Sequence, residues 1–467
     1  MSRQRAVVVG GGVAGLAAAH RIARRRPDVE VLVLEAAPTI GGKLRRTELA
    51  GSWVDVGAEA MLARRPEGVQ AVHELGLTDD LIHPLTTAAL LRNRGGNRPL
   101  PARTVLGVPA DLAALRSAEV LSEATLDRIV GEPAGGPYPP LAEDVSVGDL
   151  VSERFGDEVV QRLVDPLLGG VYAGRAEAIS LRAAVPGLAA RLSTDGGSLL
   201  AAAQAVQGQP TQAGPVFASL TGGLARLPET LAAQPGIAVR TSATVRQIAR
   251  RPTGFVLTIG SAATPEQLDA DLVVLAVPAG KAAGLLTELA PVASTELAGI
   301  ETASVAIVTL AFDRLPAGSL PAGSGILIPS VEGLNSKAMT FSSQKWPGVG
   351  AESGVSLLRA SLGRAGEQWV LQRTDDELVA IVGKELAALT GLEATPLDTQ
   401  VQRWGGGLPQ YAVGHLDRVS RIRNAVARVP GLAVCGASYD GVGIPACIGS
   451  GHIAADRVLG TLEEPAQ

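Results

Sequence analysis

The beginning of the chain alternates between apolar runs and a helical pattern. Ala6–Val9 is entirely apolar, as in a parallel strand that is covered on both faces. In Gly15–Arg25 the apolar residues recur on one helical face, and Val29–Leu34 is predicted as the second strand. This order predicts a βαβ unit with a short, right-handed crossover.

Similar strand patterns return much later in the chain. The segment 237–260 alternates and turns like paired strands, and Leu272–Val277 and Leu432–Cys435 are short buried runs. Because each piece resembles the elements of the first unit, we predict an α/β fold in which one Rossmann-like dinucleotide-binding domain is assembled from discontinuous segments.

Two regions of different character separate these pieces. Residues from about 110 to 191 have a helical pattern that is interrupted by a loop at 131–140. Residues from about 295 to 404 are mostly strands. One helix in this second region, at 374–391, begins with a threonine cap and an acidic first turn.

The composition excludes several classes of protein. The net charge of −5 has the wrong sign for general nucleic-acid binding. Two cysteines exclude a disulfide framework and a cysteine-rich zinc site, and the five histidines have no metal-ligand spacing, so no metal site is predicted. The first strand begins too early for a signal peptide, and no run reads as a membrane span. We expect a cytoplasmic protein, with peripheral contact at a membrane left open.

A glycine motif follows the first strand and opens the first helix. Gly10, Gly12 and Gly15 have the GxGxxG spacing, and Glu35 ends the second strand. Gly10 makes the tight turn, Gly12 lets a pyrophosphate approach, and Gly15 lets the helix pack close to the strand. The helix N-terminus offers N–H donors to phosphates, and Glu35 can accept hydrogen bonds from a ribose diol. In this context the motif predicts a dinucleotide site.

Later motifs extend this site. The pair Gly41-Gly42 soon after Glu35 distinguishes FAD proteins from simple NAD dehydrogenases, and we expect Lys43 near the phosphates. The loop 57–60 should approach the flavin end. A strand centred on Val245 is expected to present backbone groups to an adenine edge.

The loop Val442-Gly443-Ile444 precedes a helix near the end of the chain. Its N-terminus would stabilise the negative charge of a reduced flavin. Cys447 in this helix has no cysteine or histidine partner nearby in the sequence. We therefore interpret it as a packing residue and not as a reactive thiol.

With these motifs in place, the chain resembles the flavin-dependent porphyrinogen oxidases, which share a wider fold group with monoamine oxidase. The resemblance covers essentially the whole chain. Beyond the glycine motifs, it is carried by Pro166–Gly174 (PLLGGVYAG), Thr221–Leu231, Arg403–His415 (RWGGGLPQYAVGH) and Gly441–Gly451. Amine oxidases typically keep aromatic residues at the flavin, whereas residues 443–445 here are small and aliphatic, which suits a broad, flat substrate.

The resemblance implies FAD-dependent oxidation of a porphyrinogen at CH–CH groups in haem biosynthesis. Six electrons and six protons would leave in three two-electron cycles, with oxygen reduced to hydrogen peroxide. It also implies that a backbone carbonyl at Gly170 orients the substrate. An arginine after an LP motif, for which Arg103 is the nearest match, would hold a substrate carboxylate.

Motifs and resemblance together predict a set of cofactor-binding residues. These are Gly10, Gly11, Gly12, Val13, Ala14, Gly15, Leu16, Glu35, Ala36, Gly42, Lys43, Gly57, Ala58, Glu59, Ala60, Val245, Trp404, Val442, Gly443 and Ile444.

Coproporphyrinogen III is favoured over protoporphyrinogen IX as the substrate. The soluble branch of the family acts on the former and the membrane-attached branch on the latter. Charges recur regularly from Asp111 to Arg128, which suits water better than a membrane. Four propionates would also suit the arginine-rich segment 92–103. An FAD amine oxidase or desaturase-like enzyme, and a flavin-binding protein without turnover, remain as alternatives.

The sequence also predicts the domain organisation. An FAD-binding domain would comprise 1–84, 220–294 and 422–467. A mixed-sheet substrate domain would comprise 85–109, 195–219 and 295–421, and a helical domain 110–194. The expected partners are the porphyrinogen and oxygen, and a downstream haem-pathway enzyme is the candidate for transient docking; no nucleic acid is expected.

Overall fold

The computed structural model describes residues 3–136, 138–209 and 214–463. The few residues of the predicted domains outside these ranges, including 464–467, are not part of the description. The three domain boundaries stay predictions.

The strands of the described chain differ widely in length. They are β1 (Arg5–Val9), β2 (Glu30–Leu34), β3 (Arg46–Leu49), β4 (Ser52–Asp55), β5 (Met61–Leu62), β6 (Leu81–Ile82), β7 (Leu90–Asn93), β8 (Gly96–Pro99), β9 (Thr104–Val105), β10 (Val108–Pro109), β11 (Phe217–Leu220), β12 (Ile237–Arg240), β13 (Val245–Arg250), β14 (Phe255–Gly260), β15 (Pro265–Ala270), β16 (Leu272–Leu275), β17 (Thr302–Asp313), β18 (Gly325–Leu327), β19 (Ser336–Thr340), β20 (Val355–Leu362), β21 (Asp398–Pro409) and β22 (Leu432–Val434).

The helices concentrate in the middle of the chain and at its two ends. They are α1 (Val13–Arg25), α2 (Pro66–Glu74), α3 (Leu112–Ala118), α4 (Glu123–Gly131), α5 (Val147–Phe155), α6 (Asp157–Val159), α7 (Asp165–Tyr172), α8 (Leu181–Ala184), α9 (Pro186–Asp195), α10 (Leu199–Gln207), α11 (Arg226–Ala232), α12 (Ala279–Leu286), α13 (Pro291–Ala298), α14 (Ser342–Lys345), α15 (Asp375–Thr390), α16 (His415–Ala427) and α17 (Ile444–Glu463). A π-helical stretch, Val160–Val164, joins α6 to α7.

A five-stranded parallel sheet organises the nucleotide-binding part. Its order is β12-β2-β1-β16-β22, so the two N-terminal strands pair with β12 and β16 from distant segments, and β22 from a third segment pairs with β16. The predicted assembly from discontinuous segments is therefore confirmed. The sheet is buried on both faces: Val8 packs with the α1 and α17 side, whereas Val7 packs with α12, α13 and α16.

A seven-stranded mixed sheet forms the second layer of the molecule. Its order is β21-β17-β20-β19-β18-β7-β8, and α15 packs on one face. The predicted helix start is confirmed, because Thr374 and Glu377 form a complete capping box. Helices α3 to α10 share one apolar core with Leu91 and Tyr411.

Two predicted boundaries were wrong. The strand region expected from about residue 295 begins only at Thr302, because Pro291 starts a helix that runs to Ala298. Val245 was expected at the centre of a strand but is its first residue, and a register irregularity follows it. In the described residues, no helix is both long and apolar enough to cross a membrane.

Candidate cofactor and substrate site

The turn between β1 and α1 needs glycine at two positions because a side chain there would collide with the protein backbone. Gly10 has a φ of +112°, and a Cβ there would lie 2.5 Å from the carbonyl oxygen of Ala276. A Cβ on Gly15 would lie 2.0 Å from the carbonyl oxygen of Gly10. These two glycines let the helix pack tightly on the sheet, as the motif predicts.

Gly12 is different, because nothing in the protein itself requires it to be glycine. Its φ is −76°, and a Cβ there would meet only the Cα of Gly42, at 4.0 Å. The first turn of α1 has no side-chain cap and no acidic residue. Open space in front of uncapped N–H donors is what a pyrophosphate requires, so this cradle fits the phosphates of FAD.

Glu35 is the residue that the sequence predicts at the ribose end of the same cradle. Its carboxylate accepts hydrogen bonds from the N–H of Gly11 at 2.7 Å and of Ala37 at 2.8 Å. The N–H of Ala243 donates to the Glu35 carbonyl at 2.8 Å, so the segment leading to Val245 runs beside Glu35. This arrangement holds the carboxylate in place for a ribose, and the adenine contact of Val245 stays a prediction.

The side chain of Lys43 lies close to Gly407 and Cys447. Its side chain is exposed, yet burial lowers the pKa of its ammonium, and Cys447 raises that pKa. Exposure and a lowered pKa agree if the lysine projects into a cavity that protein encloses but solvent reaches. A Cβ on Gly407 would lie 3.7 Å from Cε of Lys43. Lys43, which follows the Gly41-Gly42 pair, therefore lies next to the segment at Trp404–Gly407.

The loop before α17 is tied down by a tyrosine from another segment. The hydroxyl of Tyr411 donates to the Ala437 carbonyl at 2.6 Å and accepts from the N–H of Gly441 at 2.8 Å. Gly441 has a φ of +132°, which favours glycine. Helix α17 then begins at Ile444, and the preceding Gly443 is exposed. The N-terminus of this helix faces open space, as a flavin site requires.

The segment that contains Gln410 and Tyr411 also holds the end of α7, the helix that carries Gly170. The side-chain amide of Gln410 donates to the Tyr172 carbonyl at 2.7 Å. The Tyr411 ring lies 5.5 Å from that of Tyr172 and stacks on His415 at 3.9 Å. Gln410 and Tyr411 thus bind the α7 end to the flavin-side loop. Both lie within one of the motifs that carry the family resemblance, but the sequence did not single out either residue.

Gly170 itself offers an open backbone surface. The residue is exposed, a Cβ on it would meet nothing within 4 Å, and the neighbouring Val171 keeps 39% of its exposure. Val442 of the closing loop packs against the helical core that contains α7. A flat ligand between these two segments would therefore meet small and aliphatic groups.

Glu59 is the centre of a buried ion-pair cluster. Its carboxylate lies 2.7 Å from Nζ of Lys345 and 2.7 Å from Nη1 of Arg359, which also donates to the Gly57 carbonyl. Burial alone would raise the pKa of Glu59, but the two cations outweigh it and lower the pKa to about 2. Glu59 therefore orders the loop 57–60 through charges from the seven-stranded sheet and the adjoining α14.

Trp404 supports the same loop from the other side. Its indole N–H donates to the Val56 carbonyl at 3.0 Å, and its ring would contact a Cβ on Gly57 at 3.3 Å. A Cβ on Gly57 would also collide with the Lys43 carbonyl at 1.9 Å. Trp404, Gly57 and Lys43 therefore form one packed unit, and their contact with the cofactor stays a prediction.

The two cysteines are buried. Burial raises the pKa of Cys447 to about 11, even though Lys43 lowers it, and burial raises the pKa of Cys435 still further. A thiol with such a pKa carries little thiolate at neutral pH, which supports a packing role. Within the described part of the chain, no group of histidine, cysteine and acidic residues could hold a metal ion.

The arginine-rich segment lies at the surface and has acidic neighbours. Arg103, at a φ of +56°, lies 3.6 Å from Asp111, and Arg98 lies 3.7 Å from Glu119. Arg94 pairs with Glu158. The structure does not bring Arg103 next to Gly170 by any described contact, and its role toward a carboxylate stays a prediction.

Comparison with known proteins places the chain in a sequence family and a fold. Residues 13–459 match the family model of flavin-containing amine oxidoreductases. Coproporphyrinogen III oxidase of Mycobacterium tuberculosis (strain ATCC 25618 / H37Rv) is 39% identical over 460 residues, covering 98% of this chain and 97% of that protein. Coproporphyrinogen III oxidase of Bacillus subtilis (strain 168) is 31% identical and covers 98% of each.

Comparison with a solved structure supports the same family. The crystal structure of a protein from Exiguobacterium sp. 255-15, provisionally assigned as a protoporphyrinogen oxidase, superposes with a TM-score of 0.87 at 31% identity. The alignment covers 99% of this chain and 100% of the other. The predicted family resemblance and the predicted flavin cofactor are confirmed by these matches.

Proposed function

The chain belongs to the flavin-containing amine oxidoreductases, and from this premise we propose that it oxidises coproporphyrinogen III to coproporphyrin III with FAD as its cofactor. The two relatives that carry this activity in their names cover essentially the whole chain. No large missing part separates this chain from them, so the site and its surroundings can be compared as a unit.

The observation that carries the proposal is the link made by Gln410 and Tyr411. Gln410 holds the end of α7 beside the exposed Gly170, and Tyr411 holds the loop that precedes the N-terminus of α17. A substrate plane between Gly170 and Gly443 would lie against small residues on both sides. A narrow amine substrate does not need such a surface, whereas a flat tetrapyrrole does.

The protein groups would position the substrate and shield it from water, and the cofactor would supply the redox chemistry. FAD held in this cradle would supply the two-electron redox chemistry, and with oxygen as the final acceptor the six electrons of the full oxidation would yield three hydrogen peroxide molecules. The Gly170 carbonyl would orient a pyrrole N–H. The positive end of α17 would stabilise negative charge beside it, and the apolar Val171 and Ile444 would exclude water.

Coproporphyrinogen III is preferred over protoporphyrinogen IX on the character of the helical region. This region carries five charged residues that are all exposed, namely Arg116, Glu119, Glu123, Asp127 and Arg128. A surface with this many charges suits water better than a bilayer. We further propose cytoplasmic action, with transient docking of a downstream enzyme that receives the porphyrin.

The proposal is tested by anaerobic mixing of the holoenzyme with each porphyrinogen. Coproporphyrinogen III should bleach the visible flavin absorbance, and admitting oxygen should restore the absorbance while fluorescent coproporphyrin III forms. Protoporphyrinogen IX should bleach the flavin much more slowly. Porphyrinogens oxidise in air without enzyme, so the aerobic arm needs a control with heat-denatured protein.

Two outcomes would contradict the proposal. Bleaching by protoporphyrinogen IX alone would assign the chain to the other porphyrinogen. Bleaching by primary amines, with neither porphyrinogen active, would assign it to the amine oxidases.

A further inference from the structure

A cavity lies between helix α7 and the seven-stranded sheet. It has a volume of about 210 Å³ and reaches Gly169, one residue from Gly170. A water molecule occupies about 30 Å³ of liquid, so the cavity has room for a carboxylate together with several waters. The charged groups that line it are Asp165, Arg175, Glu177, Lys337, Arg364 and Glu367.

Lys337 stands out among these groups because it has no charged partner. The residue keeps only 7% of its exposure, and its ammonium donates to the Gly169 carbonyl at 3.2 Å. Among the described residues, no carboxylate forms an ion pair with it, and Arg364 is the charged neighbour that affects its titration. Burying an ammonium without a counter-ion costs stability, so its retention needs a reason.

The backbone directs this lysine toward α7. In the pairing of β19 with β20, Ser336 lies opposite Leu362 and Ala338 opposite Ser361, so Lys337 is the extra residue of a bulge. Bulges redirect side chains and are frequent beside active sites. The bulge here turns Lys337 out of the regular alternation and toward the cavity.

The other charges of the cavity are already engaged. Arg364 donates to the carbonyls of Ile328, Leu334 and Ser336, and it shares Glu367 with Arg175. Asp165 accepts from the N–H of Ala176, and burial raises the pKa of Asp165 to about 6. Of the described cations that line this cavity, Lys337 is therefore the one that remains open to a ligand.

We propose that this cavity is a carboxylate subsite in which Lys337 pairs with one propionate of the substrate. This inference rests on the proposed function and adds to it a binding place for one substrate carboxylate. A tetrapyrrole placed against Gly170 would lie next to Gly169, which lines the cavity and whose carbonyl accepts from Lys337. Burial lowers the pKa of Lys337 to about 7, so an arriving carboxylate would also draw a proton onto the amine.

The test measures binding of coproporphyrin III to the holoenzyme, by its fluorescence, in four proteins: wild type, Lys337→Gln, Lys337→Met and Lys384→Gln. Both variants at 337 should raise the dissociation constant about tenfold or more, because a charge-assisted hydrogen bond is lost. Lys384→Gln removes an exposed lysine and should leave the dissociation constant unchanged.

The two substitutions at 337 separate a carboxylate role from a structural one. Glutamine can still donate to the Gly169 carbonyl but carries no charge, whereas methionine can do neither. Equal losses in both variants support the subsite. Full recovery by Lys337→Gln, or wild-type binding in both, would overturn it. Because the buried charge is unfavourable, Lys337→Met should keep or raise the melting temperature.

The pH dependence is an independent readout. In the wild type, binding should be tightest below pH 7 and should weaken as the pH rises and the free amine loses its proton. Asp165 lines the same cavity with a pKa of about 6, so its ionisation adds a pH dependence that both proteins share. Lys337→Met should abolish the part of the weakening that comes from the amine, and identical pH profiles in the two proteins would contradict the proposal. If the wild type neither binds coproporphyrin III nor oxidises its porphyrinogen, the proposed function fails. If the wild type does both and the variants behave like it, the subsite alone fails.

Discussion

The hydroxyl of Tyr411 accepts a hydrogen bond of 2.8 Å from the backbone N–H of Gly441, thirty residues further along the chain. This bond and the one to Ala437 anchor the loop whose next residues begin α17. The ring of Tyr411 meanwhile contacts Tyr172 at the end of α7. One side chain therefore couples the flavin-side loop to the helix that carries Gly170.

Tyr411→Phe should loosen that loop. The N–H of Gly441 would lose its acceptor, so the free energy of unfolding should fall by about 1–2 kcal/mol. FAD should also be lost more easily, which is measured as the visible absorbance retained after dialysis. Tyr172→Phe is the matched control, since its hydroxyl makes no hydrogen bond to the described residues, and it should retain FAD. Equal behaviour of the two variants would refute the coupling.

Gly12→Val should give a folded but colourless protein. A Cβ at this position meets only the Cα of Gly42, at 4.0 Å, so the chain can fold, but the side chain fills the space for the pyrophosphate. Gly15→Val should instead fail to fold, because its Cβ would lie 2.0 Å from the Gly10 carbonyl oxygen. Circular dichroism and the flavin spectrum test both statements. A yellow Gly12→Val protein would show that the phosphates lie elsewhere.

Glu59→Gln should be strongly destabilising, because Lys345 and Arg359 would remain buried without their counter-charge. Loss of one partner of such a cluster costs about 3–5 kcal/mol, measured by urea unfolding at pH 7. Glu266→Gln breaks the exposed pair with Arg240 and should change little.

The same cluster predicts an acid limit of stability. The pKa of Glu59 is about 2 in the folded protein and 4.5 as its reference value, so its stabilisation is present above pH 4.5 and is lost as the pH falls toward 2. In Glu59→Gln, the part of the acid sensitivity that comes from this carboxyl should disappear. An unfolding profile below pH 4.5 parallel to that of the wild type would contradict this.

The pH dependence of stability that comes from Asp55 should have the opposite sign to that from Glu59. Burial raises the pKa of Asp55 to about 6, above its reference value of 3.8, so its ionisation costs stability as the pH rises from 3.8 through 6. One oxygen accepts from the N–H of Leu224 at 3.0 Å, and the other lacks a hydrogen-bond partner beside a small cavity of about 50 Å³.

Asp55→Asn keeps an acceptor for Leu224 and removes the charge. It should therefore raise the melting temperature at pH 8 relative to the wild type and leave it nearly unchanged at pH 4. A lower melting temperature of the variant at pH 8 would show that the carboxylate is stabilised in its charged form, for example by water in the cavity.

The local patterns of the chain predicted much of the nucleotide-binding part. The βαβ unit, the roles of Gly10 and Gly15, the capped helix at Thr374 and the late strands of the parallel sheet all follow from short segments. The start of the second sheet was missed, because Pro291 begins a helix inside an apolar stretch that short-range periodicity cannot distinguish from a strand.

Side-chain partners across the sheets could not be predicted in this way. Glu59 was assigned to the flavin end from its loop alone, but its carboxylate is engaged by Lys345 and Arg359, nearly three hundred residues later. Gln410 and Tyr411 lie within a recognisable motif, yet nothing local marks them as the residues that hold α7 and the closing loop.

The sequence by itself determined where backbone must come close to a ligand, because glycine spacing, strand and helix order are properties of neighbouring residues. It also determined the family, since the motifs extend along the whole chain. Only the tertiary structure decided which charges are paired and which are left open. Lys337 is an ordinary strand lysine in the sequence. The bulge and the packing of α7 on the sheet make it a buried cation without a counter-ion among the described residues, because burial and ion pairing depend on segments brought together by folding.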